Sequence, residues 1–158
     1  YQETLEIDLS DNISTVTASI NNRVGPALVS VLGSIEERLQ KKVTQCRSEG
    51  SFYSKRFPKD GRLNFRTMTS RQAINMVRAL SEPYPGAFFS LSGHDYIVDY
   101  ACETVENYKG VSGRVVKMID ADQIVVLCAD KAVCLKLRFP LRVGAKEAMK
   151  SGLDINDG

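Results

Sequence analysis

Thr69-Ser70-Arg71-Gln72-Ala73-Ile74-Asn75-Met76-Val77-Arg78-Ala79-Leu80-Ser81-Glu82-Pro83-Tyr84-Pro85-Gly86-Ala87-Phe88 holds the change of period on which the fold turns. Thr69 and Gln72 match a capping box, in which the Thr hydroxyl accepts from the Gln amide and the Gln side chain reaches back. Ala73, Ile74, Val77 and Leu80 follow at helical spacing and predict the buried face of a short helix ending near Ser81. Pro83 and Pro85 end that helix, because proline has no amide hydrogen to continue the ladder. After Gly86 the pattern turns to strands.

Downstream, Ala87–Leu91 and Tyr96–Cys102 read as strands joined by a hairpin loop, Ser92-Gly93-His94-Asp95. Gly113–Ile119 and Gln123–Ala129 flank Asp120-Ala121-Asp122, and Ala132–Phe139 follows Asp130-Lys131. In the last strand Val133, Leu135, Leu137 and Phe139 point one way and Cys134, Lys136 and Arg138 the other. Five short antiparallel strands with tight turns predict a small, partly open barrel, which hides sheet edges. Gly144–Lys150 predicts a terminal helix.

Upstream, Thr4–Leu9 alternates polar and apolar and predicts a strand. Asp11 and Asn12 are helix caps before Ile13, Val16, Ile20 and Val24. Leu28, Leu32, Ile35 and Leu39 continue that stripe past Gly25-Pro26, so a kink or two abutting helices is expected, with the stripe as core packing. One strand and one helix cannot form a sheet layer alone, so a segment preceding Tyr1 is expected to complete them. From Arg47 to Met68 periodicity vanishes and Gly50, Pro58 and Gly61 interrupt basic and aromatic residues, which predicts a surface linker.

The chain of 158 residues has 43% hydrophobic residues, enough for a real core. It has no apolar run of membrane-spanning length, and the expectation is a cytoplasmic protein with no membrane partner. Cys46, Cys102, Cys128 and Cys134 form no C-x-x-C pair and no metal spacing with the single His94, so buried free thiols and no metal are expected. A net charge of +2 excludes a polycation, yet between Lys41 and Arg71 nine basic residues face two acidic ones. Such a run is either a solvated face or a surface for an anionic ligand.

Asn75-x-Val77-Arg78-Ala79, a short gap, then Pro83-Tyr84-Pro85-Gly86-Ala87-Phe88 resembles the folate-dependent formyltransferases, which include methionyl-tRNA formyltransferase and the amino-sugar formyltransferases. The resemblance implies an α+β chain. Residues 1–48 would be the last strand and helix of a Rossmann-like catalytic domain, 49–68 a basic linker, and 69–158 the C-terminal helix and OB-like barrel. It further implies 10-formyltetrahydrofolate, bound mainly by an N-terminal domain outside this chain. The family's catalytic Asn, His and Asp find no match here, so no catalytic residue is expected and the chain alone should be inactive. His94 reads as a turn histidine.

Arg56-x-Pro58-x-Asp60-Gly61 resembles the amino-sugar branch, although Phe65 stands where that branch has tryptophan. A nucleotide-linked amino sugar is therefore the preferred acceptor. The alternatives are charged tRNA, or a non-catalytic docking or formylation module of a larger assembly. Arg56 is the residue for a phosphate contact, since a guanidinium grips diphosphate oxygens as a fork. Phe52, Tyr53 and Phe57 would either stack a base or anchor the linker. By the family pattern Asn75 and Arg78, three apart on one helix face, would shape the boundary to the catalytic domain, and Tyr84 would line the acceptor pocket. The plain alternative for Asn75 and Arg78 is a helix-end hydrogen bond and a solvent ion pair.

Overall fold

A computed structural model describes residues 1–142, which fall into two compact units, Tyr1–Arg56 and Phe57 onward. The terminal helix predicted at Gly144–Lys150 lies outside the described residues.

In the first unit Thr4–Leu9 forms no strand, contrary to the alternation of its side chains, because no neighbouring strand offers it a ladder. Helix α1 (Ile13–Gly33) begins where the caps predict. Asn12 Oδ1 accepts from the Ser14 and Thr15 amides at 2.9 and 3.1 Å, and Thr15 Oγ1 accepts from Asn12 N at 3.1 Å. The helix runs unbroken through Gly25-Pro26 and breaks instead at Ser34, before α2 (Ile35–Gln40). No residue of either helix is buried. Val24, Leu28, Leu32 and Leu39, read from sequence as core packing, are each more than half exposed. An apolar helix face becomes core only against a second layer, and Tyr1–Arg56 contains none.

The second unit starts inside the predicted linker. Gly61, Leu63 and Phe65 are buried, so the compact second unit begins at Phe57, inside the linker expected over 49–68, and these alternate residues enter its core while those between them stay exposed. Phe65 meets Phe89 edge-on at 5.9 Å and Phe89 stacks on Tyr96 at 5.6 Å, so Phe65 fills the aromatic position in the core. Helix α3 (Ser70–Ala79) buries Ala73, Ile74 and Val77 as predicted.

Five strands follow: β1 (Ala87–Leu91), β2 (His94–Glu103), β3 (Val115–Met118), β4 (Gln123–Leu127) and β5 (Ala132–Leu137). They form one antiparallel sheet in the order β1-β2-β5-β4-β3. Among the described residues the sheet is open, with β1 and β3 as edges; the openness expected of the barrel is there, and the sheet is not a closed barrel. α3 and the strand-like segment at Leu63 cover the sheet instead: Leu63 N donates to Phe88 O at 2.7 Å, giving β1 a partner on its free side. The β1–β2 connection is a two-residue turn, tighter than the four-residue loop predicted. Ser92 and Gly93 both have positive φ, which matches strand twist, and Leu91 faces His94. Phe139, expected within the last strand on the side of Val133, Leu135 and Leu137, lies past its end and is 70% exposed.

The main core lies on one face, where Ile124, Val126, Val133, Leu135 and Leu137 meet α3 and the aromatic cluster. A smaller cluster of Val125, Leu127 and Ala132, covered by Tyr108 and Val116, occupies the other. Each such fully buried aliphatic side chain contributes about 1.5–3 kcal/mol. All four cysteines are free thiols, but Cys46 is exposed and only Cys128 is fully buried, so the expectation of buried thiols holds in part. No helix among the described residues is long and apolar enough to cross a membrane.

Candidate functional site

The candidate site is the junction at which α3 gives way to β1. Thr69 Oγ1 accepts from Gln72 N at 3.2 Å and Gln72 Oε1 accepts from Thr69 N at 2.9 Å, which is the predicted capping box. The sequence reading missed a second clasp. Asp130, in the β4–β5 turn, accepts from Ser70 N at 2.7 Å and from Ser70 Oγ at 3.1 Å, and so places a carboxylate on the positive end of α3. Burial works against its charge. Hydrogen bonds from the Ser70 and Lys131 amides, from the Ser70 hydroxyl and from its own amide outweigh that cost and hold the carboxyl below the usual aspartate value. A turn aspartate sixty positions away carries no local signal that it caps a helix.

On the outer side of α3 the structure brings Asn75 and Arg78 together, with Arg78 Nη2 donating to Asn75 Oδ1 at 3.0 Å. Asn75 is exposed and Arg78 half-buried. The pair thus forms a small fixed donor-and-acceptor group beside the helix end, where Ser81 Oγ donates to Arg78 O at 3.1 Å. The turn after it has a cis peptide between Glu82 and Pro83, with Tyr84 N donating to Ser81 O at 3.1 Å. Tyr84 keeps half of its surface exposed.

Gly86 ends the turn at φ +99°, and a Cβ there would stand 2.6 Å from Ile97 Cγ2. Only glycine fits both the backbone and the space. Gly61 is the second glycine of the junction: its own added Cβ would meet Gly86 O at 3.1 Å and Leu80 Cδ1 at 3.2 Å. Pro58–Gly61 is one turn of 3-10 helix, started by Asp60 Oδ2 accepting from Phe57 N at 2.7 Å. The Pro58-x-Asp60-Gly61 run therefore has a structural use, which is to bring the backbone of Gly61 against that of Gly86. Near the same point Arg138 grips Asp99 Oδ1 through Nε at 3.0 Å and Nη2 at 2.8 Å. That ion pair, too, was not legible in sequence.

Arg56 lies in the first compact unit, on an exposed segment without regular secondary structure, while Asn75, Arg78 and Tyr84 belong to the second. Phe52 and Tyr53 are almost fully exposed, so neither anchors its segment within its own unit. His94 is exposed on the first residue of β2, with Nδ1 3.0 Å from Ser92 O, which fits a turn histidine. Among the described residues no group of His, Cys, Asp and Glu could hold a metal ion. A hollow of ≈ 410 Å³ in the second unit is lined by Thr104, Glu106, Asn107, Tyr108, Lys109 and Lys131, and its walls carry both signs of charge.

Residues 56–151 match the family described as formyl transferase, C-terminal domain. The fold also resembles solved structures of HypX from Aquifex aeolicus. A multiply substituted variant superposes with a TM-score of 0.58 at 19% identity, over 84% of this chain and 24% of that one. A complex of HypX with tetrahydrofolic acid gives a TM-score of 0.51 at 20% identity, over 84% of this chain and 23% of that one. At such identities the likeness is one of fold. The chain spans about a quarter of the length of these structures.

Proposed function

The chain belongs to the formyl transferase C-terminal domain family, and we propose that it forms the C-terminal part of a 10-formyltetrahydrofolate-dependent N-formyltransferase. The observation that carries this is the junction. The proline-framed turn and the Gly61–Gly86 contact fix one helix end against an open sheet, and the Asn75–Arg78 pair stands on the outer side of that helix. Formyl transfer to an amine needs a base for the amine proton and a donor for the developing oxyanion. His94, the one histidine of the chain, is exposed and bonded to its own turn, so the described residues supply a scaffold and leave that chemistry to another part of the enzyme. The complex of HypX with tetrahydrofolic acid supports the choice of folate.

For the acceptor we favour the amine of a nucleotide-linked amino sugar. Its support is the Arg56-x-Pro58-x-Asp60-Gly61 run of the sequence, in which the exposed Arg56 guanidinium can fork onto diphosphate oxygens; Asn75, Arg78 and Tyr84 are proposed, within the second unit, as substrate contacts of their own. The test is formyl transfer by the full-length protein to nucleotide-linked amino sugars and to aminoacylated initiator tRNA, with affinities measured across salt. Transfer to the sugar is expected. Transfer to tRNA alone, with log affinity falling steeply against log salt, overturns the acceptor reading. A second reading is favoured by the comparison with HypX, of which this fold covers only about a quarter: a formylation or docking module within a longer protein. The exposed apolar stripe of α1 and α2 suits such a role, as a face awaiting a second layer. Absence of formyl transfer to any amine by the full-length protein would favour this module.

A further inference from the structure

We propose that Cys102 and Cys134 form a paired-thiol site that a low-molecular-weight disulfide, of the oxidised glutathione class, converts into an intramolecular disulfide joining β2 to β5. The inference is independent of the acceptor and of the folate. Its basis is register. Cys102 and Cys134 are direct partners in the antiparallel β2–β5 ladder, so both side chains leave the same face of the sheet side by side. Directly opposed residues in such a ladder have Cα atoms about 4.5–5.5 Å apart. Disulfides span Cα separations of about 4.4–6.8 Å, so the bridge needs no strand to move by more than a fraction of an ångström. Burial, and then the neighbouring Cys102 thiol, push the Cys134 thiol above its ordinary value.

Access is the second condition. Both cysteines are half-buried, neither sealed in the core nor free in solvent. The pairing of β1 with β2 ends at Val98, so among the described residues no strand pairs with β2 on its outer side at Cys102. The remaining cysteines lack one condition or the other. Cys46 is exposed but has no partner thiol, and Cys128 is buried in the main core with its thiol pushed up to about 12 by burial and by the nearby Asp130 charge.

The step balances as thiol–disulfide exchange. One protein thiolate attacks a sulfur of the small disulfide, forms a mixed disulfide and releases one small thiol. The second protein thiolate then attacks the protein sulfur of that mixed disulfide, forms the Cys102–Cys134 bond and releases the second small thiol. The protein loses two electrons and two protons, and both appear in the two reduced small thiols.

The experiment treats the folded chain with oxidised glutathione, quenches with acid, and maps disulfides by non-reducing peptide mass spectrometry. A 102–134 linked peptide is expected, lighter by two hydrogens than its parts, with glutathione retained on Cys46 and Cys128 free. Cys102→Ser should leave glutathione held on Cys134, because the resolving thiol is gone. The proposal is overturned if Cys102 and Cys134 are both recovered free, or both retain glutathione, in a chain whose circular dichroism shows an intact sheet. It is equally overturned if linkage in concentrated urea is as frequent as in buffer, since the register would then contribute nothing.

Discussion

Replacing Gly86 with alanine sets a Cβ 2.6 Å from Ile97 Cγ2 on a backbone held at φ +99°. Two costs arise. A left-handed conformation costs an L-residue roughly 1–2 kcal/mol, and forcing a methyl into an occupied contact costs roughly 1–3 kcal/mol. The expected loss is therefore roughly 2–5 kcal/mol, a large share of the ~5–15 kcal/mol that holds a domain together. At a urea m-value of about 2 kcal/mol/M the unfolding midpoint should fall by about 1–2.5 M, followed through the sheet signal in circular dichroism. A double-mutant cycle separates the two parts. Ile97→Ala removes the clashing Cγ2 and leaves the backbone cost, so Gly86→Ala should be roughly 1–3 kcal/mol less harmful in that background. A Gly86→Ala protein within about 0.5 kcal/mol of the parent refutes the account of the junction, and an equal penalty with and without the Ile97 side chain refutes its steric half.

Asp130→Asn should weaken the hold on α3 by about 1 kcal/mol in urea melts at neutral pH, because the neutral amide keeps an acceptor but loses the charge. The parent carboxyl titrates below its unfolded value of 3.8, so its contribution is complete above that pH and is lost as pH falls through the depressed value; the gap between parent and variant should close in acid. Gly25→Ala, where an added Cβ meets nothing within 4 Å, should stabilise α1 by about 1 kcal/mol and raise helical circular dichroism. With a chromogenic disulfide at neutral pH, Cys46 should react first, its thiol lowered by hydrogen bonding to Ser48, and Cys128 should react only on unfolding. In the full-length enzyme Arg56→Lys should raise the acceptor KM about tenfold with kcat little changed, if the guanidinium forks onto a diphosphate.

Local grammar settled a good part of this molecule before any tertiary contact. The Asn12 and Thr69 caps, the buried face of α3 and the five strands all stand where nearest neighbours and period dictate, because capping and amphipathic spacing act within a few residues. That Asn75 and Arg78 can share one helix face was legible for the same reason, being one helical turn apart, whereas their hydrogen bond to each other was not. What period alone cannot say is whether an apolar face finds a partner. Thr4–Leu9 alternates without a ladder, and the stripe from Ile20 to Leu39 is exposed, because its own unit offers no second layer. The strand order, the entry of Leu63 and Phe65 into the core, the Gly61–Gly86 approach, the Asp130 clasp on Ser70 and the facing of Cys102 with Cys134 all join residues tens of positions apart. Contacts of that range are set by strand order and register, which depend on how all five strands and α3 bury their apolar faces at once.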